Sequence, residues 1–411
     1  MPVVVLLGTL DTKGTEFAYV RDLLRVFGCQ VILIDVGLVG APQAAPEITR
    51  DTVAAAGGTT VAALLARDDR GAALEAMARG ATQLAADLHR EGRLHALMSL
   101  GGSGGSSIAA AAMRALPVGV PKLLVSTIAS GDVSSYVGQS DITMMYAVLD
   151  VAGLNSVSTA IYENAAAAAA GMASAFANRK VTQDRKPAIA ITMFGVTTPA
   201  VTVARQWLEA HGYEVLVFHA NGAGGRAMEK LISDGTFVGV IDLTTTELAD
   251  ELVGGDLSAG PNRLTAAGRL GIPQVVSLGA LDMVNFGPRD RIPARFHDRL
   301  FYRHNQNVTL MRTTAAECAE LGCVLGQKLN AAHGPVTLFI PRGGVSSISE
   351  PGQVFHDREA DEALIASLTA TVSPSIAVVQ DDRPINEAGL ATAMAVAIHD
   401  LISRPKEDFH V

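Results

Sequence analysis

Leu94-His-Ala-Leu-Met-Ser-Leu-Gly-Gly-Ser-Gly-Gly-Ser-Ser-Ile-Ala-Ala-Ala-Ala-Met-Arg-Ala-Leu116 is the stretch whose reading decides the fold. An apolar run, Leu94 to Leu100, enters a glycine–serine segment, Gly101-Gly-Ser-Gly-Gly-Ser-Ser107, and an Ala-rich helical pattern, Ile108 to Leu116, leaves it. Strand, glycine turn and helix, in that order, is a geometry that binds phosphate. Gly101, Gly102, Gly104 and Gly105 let the backbone approach an anion, and the helix start offers unpaired N–H groups and a positive dipole end. Ser103, Ser106 and Ser107 add hydroxyl donors. The competing reading, a flexible surface turn, fits less well, because Gly-Ser linkers rarely sit between a buried strand and a helix.

The same pattern extends outward. Val3 to Leu7 is a continuous apolar run ending in Gly8, Gly14 to Phe27 reads as an amphipathic helix, and Gly28 stops it before the strand Val31 to Ile34 and Asp35. Further strands are expected at Leu94–Leu100, Lys122–Thr127 and Ile142–Val148. This βαβ series predicts a right-handed, doubly wound parallel sheet of the Rossmann type. The polar window Asn178–Pro187 marks a domain boundary. Beyond it the pattern restarts: Met193-Phe-Gly-Val-Thr-Thr-Pro199 is followed by a helix, Gly212 and the strand Val215–His219. Later strands fall at Val238–Leu243, Gln274–Leu278, Val336–Ile340 and Ile376–Val379, and the helix Asn386–Ile402 ends the pattern. The fold class expected is α/β, with two such domains in tandem at residues 1–180 and 188–411.

Composition agrees. The 411 residues are 49% hydrophobic but only 5% aromatic, dominated by the small aliphatic residues that parallel sheets and their covering helices use. A net charge of −9 without a basic block argues against nucleic acid as a partner. Cys29, Cys318 and Cys323 match no zinc motif and predict a reduced, cytoplasmic chain without disulfides or a structural metal. Met1–Leu10 lacks a basic flank and reads as a strand, not a signal peptide. The stretch Ala165–Ala177 is too weakly apolar to span a membrane and reads as a closely packed helix.

Candidate chemistry gathers at strand ends. In Gly8-Thr-Leu-Asp-Thr-Lys13, Thr9 and Thr12 are phosphate donors, Lys13 a counter-charge, and Asp11 a metal ligand or helix cap. The order Lys13-Gly14-Thr15 excludes a Walker A loop. Asp35 ends a strand where a Rossmann domain holds a ribose hydroxyl, although a solvent-facing strand end is equally consistent. Thr127 and Ser130 follow another strand.

In the second half, Gly222, Gly224 and Ala227 fit G-x-G-x-x-A, with Asp242 about 20 residues on, as a dinucleotide fingerprint requires. Arg226 stands where pyrophosphate would need room, so an anionic substrate held by Asn221, Gly224, Gly225 and Arg226 fits better. His219 is either a general acid–base or a satisfied structural histidine. Glu247, Asp282, Asn285 and Arg342, in the loop Pro341–Ser347, complete the polar strand-end set. No G-x-S-x-G elbow, H-E-x-x-H or paired cysteine set declares a nucleophile.

Several of these segments together resemble one family: Gly8–Lys13, Leu100–Gly105, Ser126-Thr-Ile-Ala-Ser-Gly131, Thr192–Pro199, Val217-Phe-His-Ala-Asn-Gly222, Gly224-Gly-Arg-Ala-Met-Glu229, Ile241-Asp-Leu-Thr-Thr-Thr-Glu247 and Gly279-Ala-Leu-Asp-Met-Val-Asn-Phe-Gly-Pro288. The family comprises the ATP-binding N-terminal region of the tobamovirus-resistance protein of tomato and many bacterial relatives. The resemblance implies two linked α/β domains, ATP binding at Gly8, Thr9, Lys13 and Gly101–Ser107, and a homodimer. A TIM-barrel domain follows this region in the plant relative, which implies a separate TIM-barrel protein as a partner.

The function expected is that of a cytoplasmic ATP-binding enzyme. Kinase-like or ligase-like chemistry, with Mg²⁺ bridging the phosphates, would act on a small carboxylate or phosphate substrate at an interdomain cleft. His219, Arg226 and Asp282 would be catalytic. The alternative is an ATP-responsive binding or regulatory module, and a third reading is a dinucleotide oxidoreductase using Gly222–Ala227 and Asp242.

Overall fold

The computed structural model describes residues 1–179 and 186–404. The chain divides into two compact units, Met1–Thr182 and Gln183–Val411. Residues 180–185 of the polar window, where the boundary is expected, lie outside the described residues.

The first unit is a five-stranded sheet of β1 (Val3–Gly8), β2 (Gln30–Asp35), β3 (Ala96–Gly101), β4 (Lys122–Ser126) and β5 (Thr143–Tyr146) in the order β2-β1-β3-β4-β5. Every pairing is parallel. The strands are apolar without alternation because both faces are buried: Val5 and Leu7 enter one hydrophobic cluster, Val4 and Leu6 the other. The Ala-rich segment is the helix Ser156–Ala177, which buries Ala165, Ala166, Ala169, Ala170 and Ala173 in the second cluster. The chain leaves β1 to one side for β2 and then crosses to β3 on the other. The loops after β1 and β3 therefore flank the switch point where open α/β sheets bind ligands.

Two helix starts differ from expectation by about a full turn, both at this point. The first helix starts at Leu10 rather than Gly14, with Lys13 at the irregular φ −134°, ψ 19°. The helix after β3 starts at Ser103, so Ser103, Gly104 and Gly105 form its first turn rather than a loop, with extended Gly102 as the N-cap. Gly8 is buried, and its lack of a side chain serves packing. A Cβ there would lie 1.8 Å from Cζ of the fully buried Phe17 ring. Gly8→Ala should therefore destabilise the first unit by about 1–3 kcal/mol, an overpacking cost read by denaturant unfolding.

The second unit holds β6 (Ala188–Met193), β7 (Glu214–His219), β8 (Gly239–Thr244), β9 (Gln274–Gly279), β10 (Met283–Phe286), β11 (Phe301–Arg303), β12 (Thr309–Arg312), β13 (Val336–Pro341) and β14 (Ala377–Asp381). Its main sheet runs β14-β13-β9-β8-β6-β7, all parallel. Counted from its own first strand, this is the strand order of the first unit with one strand added at the far edge. A small antiparallel sheet, β10-β12-β11, is inserted between β9 and the helix Ala315–Asn330. Met283 and Leu310 of this insert share a buried cluster with Phe194 and Ala280, so it covers the loops that end β6 and β9. The sequence reading did not anticipate it. No described helix is long and apolar enough to cross a membrane.

Candidate functional site

At the switch point of the first unit lies a cavity of about 560 Å³. One end is built from the first turn of the helix Ser103–Ala115, with Gly102, Ser103, Gly104 and Gly105 in the wall. The N–H groups of such a turn have no partner within the helix. Arg70 stands over them: a Cβ built on Gly104 would lie 3.7 Å from its Nη2. Among the described residues, no carboxylate or other hydrogen-bond partner engages the Arg70 guanidinium. A helix dipole and an unpaired guanidinium thus converge on one spot, which favours an anion there. The rest of the lining combines apolar Val36, Leu38, Val39, Leu64, Leu65, Leu74 and Ile108 with polar Thr9, Asp11, Thr12, Lys13, Asp68 and Asp69.

The apolar wall is held in place by two carboxylates. Asp35 is 1% exposed. Its Oδ1 accepts from the N–H groups of Leu10 (3.1 Å) and Gly37 (2.9 Å), and its Oδ2 lies 3.3 Å from Arg50 Nε. Burial raises the Asp35 pKa despite these bonds. Asp11 Oδ2 accepts from Val39 N–H at 2.7 Å and Gly40 N–H at 3.4 Å, while Arg50 Nη2 donates to the Gly40 carbonyl at 2.5 Å. The loop Val36–Gly40 is therefore pinned along its length. Asp11 Oδ1 is buried without a hydrogen-bond partner.

Of the expected first-unit site residues, Thr9, Asp11, Thr12, Lys13, Gly102, Ser103, Gly104 and Gly105 line this cavity. Thr12 Oγ1 donates to Thr9 Oγ1 at 3.1 Å, and Lys13 Nζ donates to the Val151 carbonyl. Thr127 Oγ1 lies beside the helix start, 3.8 Å from the Cβ position of Gly102. Gly8 and Gly101 are buried beneath the site. Ser106 is also buried and shares a 2.7 Å hydrogen bond with Ser126, tying the helix to β4. Ser107 and Ser130 are exposed and lie outside the lining. Asp35 is not a solvent-facing strand end: it is buried, with both carboxylate oxygens engaged by Leu10, Gly37 and Arg50. Arg70, Leu64, Leu65 and Asp68 were missed by the sequence reading.

The equivalent point of the second unit is filled from within. Arg263 is fully buried. Its Nε donates to Glu247 Oε2 and its Nη2 to Asp242 Oδ1, each at 2.6 Å, its Nη1 donates to Asp242 Oδ2, and Glu229 lies 3.5 Å away. The three carboxylates raise the Arg263 pKa well above its ordinary value against the effect of burial. Glu247 Oε1 in turn accepts from Gly222 N–H (2.6 Å) and Gly225 N–H (3.1 Å). The second glycine loop thus holds a carboxylate of its own chain where a dinucleotide would place pyrophosphate. Asp242, the ribose candidate of that reading, is spent on Arg263.

The other second-unit candidates are dispersed. Arg226 Nη1 donates to the Ser258 carbonyl at 2.7 Å, and Asn221 Oδ1 accepts from Gly224 N–H at 3.0 Å. His219 lies at the end of the edge strand β7, its ring edge-on to Phe194 at 5.2 Å, in a depression of about 350 Å³. Arg342 follows β13, toward the opposite edge of the sheet, in a separate groove with Glu362 and Gln380.

Asp282 immediately precedes β10 of the antiparallel insert and Asn285 lies within it, and both are buried. Asp282 accepts from Ser346 Oγ at 2.8 Å, and burial raises its pKa to about 6. Asn285 Nδ2 donates to Asp250 Oδ2 at 2.6 Å, and Asp250 is pushed up by burial to about 7. One oxygen each of Asp282 and Asn285 has no partner. His219 and Arg342 line separate depressions, and Asp282 is buried away from solvent.

Two family models match the chain: the N-terminal domain of the uncharacterised protein family UPF0261 over residues 2–178, and the C-terminal domain of that family over residues 186–402. A UPF0261 protein of Clostridium tetani is 50% identical over 402 residues, which is 98% of this chain and 99% of the relative. The ToMV resistance protein Tm-1(GCR237) of Solanum lycopersicum is 43% identical over 305 residues, covering 73% of this chain and 40% of the plant protein. Among solved structures, UDP-N-acetylglucosamine 2-epimerase from Rickettsia bellii aligns over 66% of this chain and 78% of its own, with 9% identity and a TM-score of 0.22. A superposition that loose adds nothing to the fold described above.

Proposed function

This chain belongs to the UPF0261 family, and we propose that its N-terminal unit binds ATP in the crevice between β1 and β3. The observation that carries the reading is the mixed lining of the cavity. The N–H groups of Ser103–Gly105 and the unpaired Arg70 offer an anion end, and Leu38, Val39, Leu64 and Leu65 offer apolar surface in the same cavity. A nucleotide carries both kinds of group. Its phosphates suit a helix N-terminus with an arginine, and its base suits an aliphatic slot. The volume of about 560 Å³ lies within the range of small-molecule sites.

The fit extends to a divalent cation. Mg²⁺ keeps several waters and needs one or two carboxylates besides phosphate oxygens. Asp11 lines the cavity and carries a buried oxygen without a partner. Among the described residues, no group of three or more metal-ligating side chains comes together, so phosphate and water would supply the other ligands. Mg²⁺ bound there would neutralise phosphate charge. Thr9 and Thr12 add hydroxyl donors at the same end, and the Asp35–Arg50 pair keeps the apolar wall in register with it.

Calorimetry with ATP, AMP and NAD, with and without Mg²⁺, tests the reading. ATP should bind more tightly than AMP, because the anion end holds the terminal phosphates. Arg70→Ala should weaken ATP about 10- to 100-fold, the worth of a hydrogen bond to a charged group. Arg70 is exposed, so its melting temperature without ligand should stay unchanged. Unaltered ATP affinity in this variant, or no ATP binding by the unmodified protein, would overturn the proposal.

A further inference from the structure

The following inference rests on the nucleotide reading of the first-unit crevice and concerns how that crevice selects its ligand. Asp68 lines the cavity and lies in the chain between Leu65 and Arg70, which line it too. Leu64 and Leu65 of the apolar wall precede it by one helical turn, and Arg70 of the anion end follows two residues later. A nucleotide with its base against Leu64 and Leu65 and its phosphates at Arg70 would bring its sugar toward Asp68.

Two neighbouring carboxylates, Asp35 and Asp69, are committed elsewhere. Asp35, at the strand end where doubly wound domains commonly hold ribose, is buried against Leu10, Gly37 and Arg50. Asp69 caps the helix Arg70–Arg90 by accepting from Ala72 N–H at 3.0 Å. Asp68 is exposed, and among the described residues its carboxylate has no hydrogen bond or ion pair.

The backbone at Asp68 is also unusual. It ends the helix Val61–Arg67 in the left-handed conformation at φ 48°, where glycine is the common residue. A side chain there costs stability that glycine would not, and strain of this kind collects at ligand sites. We propose that the Asp68 carboxylate accepts hydrogen bonds from the ribose hydroxyls, making the crevice selective for ribonucleoside over deoxyribonucleoside triphosphates. An ionised carboxylate has two oxygens and only accepts, which matches the two vicinal O–H donors of ribose.

The backbone observation supplies a clean variant. Asp68→Gly removes the carboxylate while relieving the left-handed strain, so it should fold with an equal or higher melting temperature. Affinities of the unmodified protein and of Asp68→Gly are measured for ATP, 2′-deoxy-ATP and 3′-deoxy-ATP with Mg²⁺. The unmodified protein should prefer ATP about tenfold over at least one deoxy analogue, in line with a hydrogen bond to a charged group. In Asp68→Gly that ratio should fall to near one, with ATP losing more affinity than the deoxy analogue, which has one hydroxyl fewer to lose. Equal affinities in the unmodified protein, or a preference that survives in Asp68→Gly, would overturn the assignment and leave ATP binding standing. Failure of the unmodified protein to bind any of the three would overturn both.

Discussion

Arg263→Ala should destabilise the second unit by about 3–5 kcal/mol, the usual cost of removing one partner from a buried charge network. The guanidinium lies between Asp242 and Glu247, both at most 1% exposed, so its loss strands two carboxylates away from water. The total stability of a domain is only about 5–15 kcal/mol, so the variant should lose much of its margin. Lysine should not rescue it, because one ammonium cannot serve Asp242 through two nitrogens and Glu247 through a third. Urea unfolding reads the effect. A loss below about 1 kcal/mol would mean that water reaches the network and the charges are not stranded. ATP affinity in the first unit provides the control, since none of these residues lies there.

The second large effect is on pH dependence. Asp250 is pushed by burial from 3.8 to about 7, and Asp282 from 3.8 to about 6. A carboxyl whose folded pKa is raised holds its proton in the native state at a pH where the unfolded chain has released it. The native state then binds more protons, and stability falls as pH rises through that window. Stability from these groups is greatest below about pH 4 and declines up to about pH 7 for Asp250 and pH 6 for Asp282. Each pKa unit corresponds to about 1.4 kcal/mol, so Asp250 alone accounts for a decline on the order of 4 kcal/mol. Asp250→Asn should flatten the plot of unfolding free energy against pH between 4 and 7 by close to one proton. An unchanged slope would show that Asp250 ionises in the folded state at its ordinary pH.

The main sheets were legible in the sequence for a physical reason. Parallel strands buried on both faces must be continuously apolar, as Val3–Leu7 and Leu94–Leu100 are, and glycine or aspartate marks their ends. The antiparallel insert was not legible. Its strands are short, and β10 buries Asn285 between apolar residues, so neither a clean alternation nor a long run appears. At the candidate site, the anion end was readable because glycines and threonines cluster at strand ends. Arg70 and Asp68 were not, because Arg67-Asp-Asp-Arg70 looks like an ordinary solvated charge run and carries no glycine motif. The loop Gly222–Ala227 misled for the opposite reason. Its N–H groups do hold an anion, but the anion is Glu247, and its counter-charge, Arg263, sits in a Pro-Asn-Arg segment that reads as a plain turn.

The glycine loop occupied by Glu247 is a binding site whose ligand is covalently part of the chain. Such a ligand has no dissociation constant, and its occupancy does not respond to supply. The first unit, by contrast, would gain stability from the anion proposed for it, and would gain less as that anion became scarce. The two crevices share a strand order but differ in what sustains them. Starvation for the ligand would thin the protection of the first unit alone, so proteolytic turnover of the protein would be set by its N-terminal half.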